Sequence, residues 1–193
     1  MKSSIRKRTY QAIYRLLDRV SPLDCDCGTL CGAACCTCVS DETEGGPALG
    51  IYLLPGEEKV FTKKESWLRW VCEQAEDFDF PDSWHGKIYF INCLTPPHCP
   101  REKRPLQCRF FPLAPHLTPD GILHLILCPD KLPYACPLIE KKLPLNSSFI
   151  QATYTVWTHL LRDSRIFDLV QMDSEDREQD GTELHFNRVG GGD

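Results

Sequence analysis

Apolar and polar positions alternate along this chain in short blocks. From about Ser3 to Val20, Ile13, Leu16, Leu17 and Val20 recur at helical spacing among Lys2, Arg6, Lys7, Arg8, Arg15 and Arg19. That pattern predicts a basic amphipathic helix, packed on the domain and ended by Ser21-Pro22. Ile51 to Leu54 reads as a short buried strand. Thr62-Lys63-Lys64-Glu65 carries the capping-box pattern and predicts a helix reaching Glu76, with Trp67, Val71 and Ala75 on one face. Cys72 would sit on that face as a small buried residue. Lys87 to Asn92, rich in aromatic and β-branched residues, predicts a strand that delivers the chain to Cys93. Cys108 to Leu113 reads as extended, Thr118-Pro119-Asp120-Gly121 as a turn, and Ile122 to Cys128 as the matching strand. Together they predict a hairpin over Arg109 to Cys128 that returns Cys128 towards Cys108. One long amphipathic helix is expected from Ser148 to Val170, capped at Ser147, with Ile150, Val156, Trp157, Leu160, Leu161, Phe167 and Val170 inward.

These elements describe an α+β fold: a small cysteine-rich metal-binding domain with short strands or a hairpin, packed against a long C-terminal helix. The expected organisation is a basic N-terminal helix (1–22), a cysteine-cluster domain including the long helix (23–172), and an acidic tail without order (173–193). The 193 residues, 42% hydrophobic and 25% charged, suit one soluble domain. A formal net charge of −5 argues against nucleic-acid binding by electrostatics. No apolar stretch approaches the roughly 20 residues of a membrane helix, and the charged N-terminus shows no secretory signal. A cytoplasmic setting is therefore expected.

Twelve cysteines change the picture. In a reducing compartment, clustered cysteines bind metal more often than they pair. Six of them, Cys25, Cys27, Cys31, Cys35, Cys36 and Cys38, fall in CDCGTLCGAACCTC, where Gly28, Gly32, Ala33 and Ala34 let the backbone turn tightly. Cys93, Cys99 and Cys108 form a second group, followed by Cys128 and Cys136. Converging soft thiolates select zinc, cuprous copper or iron–sulfur clusters. Neither the paired CxxC knuckles of a zinc ribbon nor the CxxCxxC run of bacterial ferredoxins is present, so spacing alone leaves the metal open. Cys72, in its helix, is not expected to be a ligand. Among six histidines, His98 beside Cys99 is the one placed to substitute for a thiolate, whereas His124 reads as structural. Glu57, Glu58, Asp77 and Asp79 read as surface loop charges.

Arg104-Pro105-Leu106-Gln107-Cys108-Arg109-Phe110-Phe111-Pro112 resembles the RPxxCRxFP signature of the CxxCxxCC cysteine-cluster (YkgJ-like) family, described as zinc- or iron-chelating and often as iron–sulfur proteins. Cys31-Gly32-Ala33-Ala34-Cys35-Cys36 is similar to that family's CG…CC element, and Leu54-Pro55-Gly56-Glu57 to the segment after it. The likeness spans roughly Cys25 to Cys136. It implies metal ligation by Cys27, Cys31, Cys35, Cys36, Cys93, Cys99, Cys108 and Cys128, with Cys25 an alternative to Cys27 and Cys136 to Cys128. The spacing from Cys27 to Cys31 is one residue longer than the family's, and Pro100, Arg101 and Glu102 stand where it carries an aromatic. Arg104 and Arg109 would offset the negative charge of a thiolate-bound metal and hydrogen-bond its sulfurs; Arg109 could instead pair with a carboxylate.

The expected function is a metal-binding protein holding an iron–sulfur cluster, of the 4Fe–4S type, or zinc, with a redox or metal-handling role. Two alternatives stand beside it. One is a protein-modifying enzyme similar to flagellin lysine methylase, which shares the family's cysteine cluster; the other is a structural zinc module that binds a protein partner.

Overall fold

A computed structural model describes residues 3–37, 50–62 and 64–187. Among them the architecture is mixed α and β, with two small antiparallel sheets of three strands each. The first sheet joins β1 (Ile51–Tyr52), β3 (Lys87–Cys93) and β2 (Leu68–Gln74) in the order β1-β3-β2. The second joins β4 (Leu113–Leu117), β5 (Leu123–Leu127) and β6 (Phe186–Asn187) in sequence order. Helix α1 (Lys7–Leu17) lies against α5 (Ser147–Leu160) and buries Tyr10, Ile13, Tyr14 and Leu17, leaving its arginines and lysines outside. Leu16, expected inward, is 37% exposed, because the buried stripe runs through the two tyrosines instead.

Several expectations need correction. The segment after Thr62 is no helix: a turn leads into β2, which pairs with β3 along its whole length from Leu68↔Cys93 to Gln74↔Lys87. Thr62 and Glu65 do meet, but the Glu65 carboxylate serves Trp67 Nε1 at 3.1 Å and Lys103 Nζ at 3.0 Å, tying down a turn rather than starting a helix. Cys72 is accordingly an exposed strand residue, not a buried helical one. The long C-terminal helix is two helices, α5 and α6 (Ser164–Gln179), broken at Leu161 to Asp163. Asp163 caps α6 by accepting from Arg165 N, and also takes Ser3 Oγ, Ser4 N and Ser4 Oγ at 2.7–2.9 Å. A second-helix cap and an anchor for the N-terminal segment are thus one side chain. The acidic stretch from Asp173 continues α6 to Gln179, and β6 adds to the second sheet, so much of the expected tail is ordered.

The predicted hairpin is present as β4 and β5, in register from Leu113↔Leu127 to Leu117↔Leu123. Cys128 N donates to Pro112 O at 2.8 Å, which brings Cys128 back towards the short helix α3 (Leu106–Phe110) that carries Cys108. That helix replaces the extended segment expected from Cys108. His116 and His124 face each other across the hairpin, with the Phe186 ring edge-on to both. Residues from α1, both sheets, α3, α5 and α6 share one apolar core, and a smaller cluster of Leu53, Trp67, Leu68 and Ile91 abuts Cys99.

Candidate metal centre

The first cysteine group is folded by local chemistry. The Asp26 carboxylate accepts from Gly28 N at 3.0 Å and opens a single tight turn, Cys27–Leu30. Gly32 and Ala33 then adopt left-handed conformations (φ 63° and 56°), which reverses the chain into α2 (Ala34–Thr37). Ala33 N donates to Gly28 O at 2.8 Å and closes the loop. A non-glycine residue at positive φ costs about 1 kcal/mol or more, strain that the surrounding loop must offset. Cys35 and Cys36, successive residues of α2, hold their sulfurs 3.9 Å apart. Cys38 lies outside the described residues.

Two other segments hold this loop in place. Asn146 N donates to Pro22 O, and Asn146 Nδ2 to Ser21 O and Asp24 Oδ1, stapling the entry of the loop to the start of α5. On the other side Arg101 reaches Val20 O at 3.5 Å. The loop therefore sits between the segment that follows Cys136, which runs through α4 (Pro137–Glu140) to α5, and the one that carries Cys99 to Cys108.

Arg104 interacts with cysteines of both groups, by contact with Cys99 and electrostatically with Cys36 and Cys108. Arg104 Nε donates to Cys99 Sγ at 3.1 Å, and its guanidinium lies within electrostatic reach of Cys99, Cys36 and Cys108 together. Half-burial by itself would discourage its charge, but those three sulfurs hold it firmly protonated. Cys35 and Cys36 are hydrogen-bonded to each other. The hydrogen bond between them, helped by Arg104, favours thiolate at Cys36 and holds the proton on Cys35. Cys99 is pushed up by burial, opposed by Arg104. Cys108 meets solvent although protein surrounds it closely; that crowding pushes its thiol up to about 12, with Cys36 and Cys99 adding to the rise.

The remaining expected ligands are placed unequally. Cys31 lies at the end of the tight turn and within reach of Cys27 and Cys35, and Cys27 is pushed up first by burial and then by Asp26, Cys31 and Cys136. Cys93 ends β3, exposed, and influences Cys99. Cys128 donates its thiol to Asp130 Oδ2 at 3.4 Å and is pushed up to about 11 by burial and that carboxylate. Cys136 is buried and acts electrostatically on Cys27, and the Tyr134 phenol feels Cys35, Cys136, Cys128 and Cys108 at once. Cys25 and His98 are exposed.

Arg109, expected to serve the sulfurs, is spent elsewhere. It pairs with Asp18 at 2.7 Å, lies 4.5 Å over the Tyr14 ring, and donates to the backbone carbonyls of Arg104 and Arg101. It fixes the 101–109 segment on α1, so its effect on the site passes through the backbone.

Glu57, read from sequence as a surface charge, is 0% exposed. Its carboxylate accepts Tyr14 Oη at 2.6 Å and Leu106 N at 2.9 Å on one oxygen, and Leu54 N at 3.0 Å on the other. Burial pushes its pKa up, and those three donors with Arg109 pull it back. Leu106 is the first residue of α3, so Glu57 positions the helix bearing Cys108 against α1. Its place after the Leu54-Pro55-Gly56 turn was the one sequence signal; Gly56 at φ 90° makes that turn, and a Cβ there would lie 2.7 Å from Ser3 Cβ.

Does this donor set suit a thiophilic metal? With zinc–sulfur bonds of about 2.3 Å, the sulfurs on one edge of a tetrahedral site stand about 3.8 Å apart, close to the Cys35–Cys36 spacing. One edge is in place. Among the described residues no three donors already converge closely enough to hold an ion, so a four-thiolate site needs further sulfurs to close on that pair. A second polar feature lies apart: a cavity of about 510 Å³ lined by Tyr52, Asp130, Asp173, Asp176, Arg177 and Asp180.

No family model, no curated protein and no solved structure matches this chain. No helix among the described residues is long and apolar enough to cross a membrane.

Proposed function

We propose that this protein binds a thiophilic metal through Cys35 and Cys36 from the first cysteine group and Cys99 and Cys108 from the second. The reading is carried by the hydrogen bond from Arg104 Nε to Cys99 Sγ at 3.1 Å, with Cys36, more than sixty residues away in the chain, and Cys108 acting electrostatically on the same guanidinium. Four thiolates around a divalent ion leave two negative charges. A guanidinium already bonded to one of the sulfurs offsets part of that charge and orients its ligand. The metal would supply a fixed tetrahedral node locking the two segments together, or, in an iron–sulfur form, a one-electron centre.

The 3.9 Å Cys35–Cys36 spacing supports two sulfurs on one metal atom. That is the arrangement of tetrahedral zinc, or of one iron of a [2Fe–2S] cluster. A [4Fe–4S] cube, held by four cysteines, takes one from each iron. The likeness to the YkgJ-like family, carried by Arg104 to Pro112, points to the same two metals. Elemental analysis and visible spectra of protein purified without oxygen test the proposal. Stoichiometric zinc without colour, or iron with charge-transfer absorbance, is expected; protein free of both metals would overturn it.

A further inference from the structure

The described thiols offer one pair already assembled. A divalent metal needs four donors and must draw the second cysteine group inward, whereas a monosubstituted trivalent arsenical needs only two sulfurs. Cys35 and Cys36 stand 3.9 Å apart, on successive residues of a short helix, with Cys35 exposed and Cys36 half-buried. Soft sulfur donors select soft acceptors, and a chelating pair holds such an acceptor far more tightly than either thiol alone.

We infer that Cys35 and Cys36 form a binding site for trivalent organoarsenicals, and more broadly for soft trivalent metalloids, independent of Cys99 and Cys108. Arsenic keeps its +3 state throughout. With phenylarsine oxide, each thiol sulfur forms one bond to arsenic, the arsenic–oxygen bonds break, and the two thiol protons leave with that oxygen as one molecule of water. No oxidant or reductant is involved. The tight turn preceding α2, closed by Ala33 N to Gly28 O and by Asp26 on Gly28 N, holds the pair at the surface, so binding requires only side-chain rotation.

This inference uses two of the sulfurs proposed for the metal centre, yet it survives if that centre does not exist. The test is intact-mass spectrometry of metal-free full-length protein incubated with phenylarsine oxide and excess glutathione. One adduct is expected, stable to the monothiol and removed by 2,3-dimercaptopropanol. Cys35→Ser and Cys36→Ser, each checked for an unchanged far-ultraviolet circular dichroism spectrum, should each weaken binding by about a hundredfold or more. Cys108→Ser, which dismantles the proposed metal site, should leave the adduct intact, as should Cys72→Ser. An adduct that persists in Cys35→Ser and Cys36→Ser, or that is lost in Cys108→Ser, would overturn the assignment.

Discussion

Replacing Glu57 by glutamine tests whether a buried carboxylate organises the candidate site. The native oxygens accept three donated hydrogen bonds, from Tyr14 Oη, Leu106 N and Leu54 N, with no exposure to water. A carboxamide keeps one accepting oxygen, which can retain Tyr14 and Leu106. Its NH2 group then faces the Leu54 N–H, donor against donor. An orphaned buried donor costs about 1–3 kcal/mol, and the two remaining bonds lose their charge assistance. Relief from burying a charge, the cause that pushes the Glu57 pKa up, offsets part of the loss. The net expectation is a destabilisation of about 2–3 kcal/mol, a fall of roughly 4–12 °C in melting temperature for a chain of this size. Thermal unfolding followed by circular dichroism measures it, with Asp79→Asn, at an exposed carboxylate, as the control expected to stay within about 0.5 kcal/mol. A double-mutant cycle with Tyr14→Phe should show coupling of about 1 kcal/mol or more, because both changes remove parts of one network. A Glu57→Gln protein melting within 1 °C of the parent (well under the ~2 °C that about 1 kcal/mol would produce) would refute the reasoning.

Two further expectations follow from the charge arrangement. Arg104→Gln removes the Nε donation to Cys99 and the cation shared by Cys36 and Cys108. Metal affinity, read by competition with a chromophoric chelator, should fall about tenfold or more, and Arg104→Lys should fall in between because it keeps charge without the fixed planar donors; affinity unchanged in both would contradict the role. At the cavity between Tyr52, Asp130 and the acidic face of α6, burial raises the Asp173 pKa to about 6, with Asp130 and Asp176 adding to the rise and Arg177 opposing it. Between its unfolded value of about 4 and this folded value the folded chain holds more protons than the unfolded one, so stability falls as pH rises through that window. Asp173→Asn should therefore gain melting temperature relative to the parent as pH rises from 4 to 7, levelling off above 6; a constant difference would count against it.

What could be read from the sequence was what is local. The β4–β5 hairpin is announced by Thr118-Pro119-Asp120-Gly121, and β3 by its own residues. The segment after Thr62 misleads because its capping residues do meet, yet the outcome is set by the edge of β3, which accepts Leu68 to Gln74 as a strand. The single helix expected from Ser148 to Val170 is broken where the Asp163 side chain caps α6 and also binds the N-terminal segment, a long-range contact. Glu57 was unreadable as a buried group because its partners Tyr14 and Leu106 lie 43 and 49 residues away. Arg104 donates to the Cys99 sulfur. Arg109, five residues further on, is claimed by Asp18 and Tyr14 on a helix whose docking no local pattern encodes.

The central claim is that sulfurs from both cysteine groups hold one metal. Metal content per chain, measured on protein purified without oxygen for the parent and for Cys36→Ser, Cys108→Ser and Cys72→Ser, tests it most directly. The account predicts one centre per chain in the parent and in Cys72→Ser, and loss of most of the metal when either Cys36 or Cys108 is replaced. Equal metal in all four proteins, or none in the parent, would contradict it.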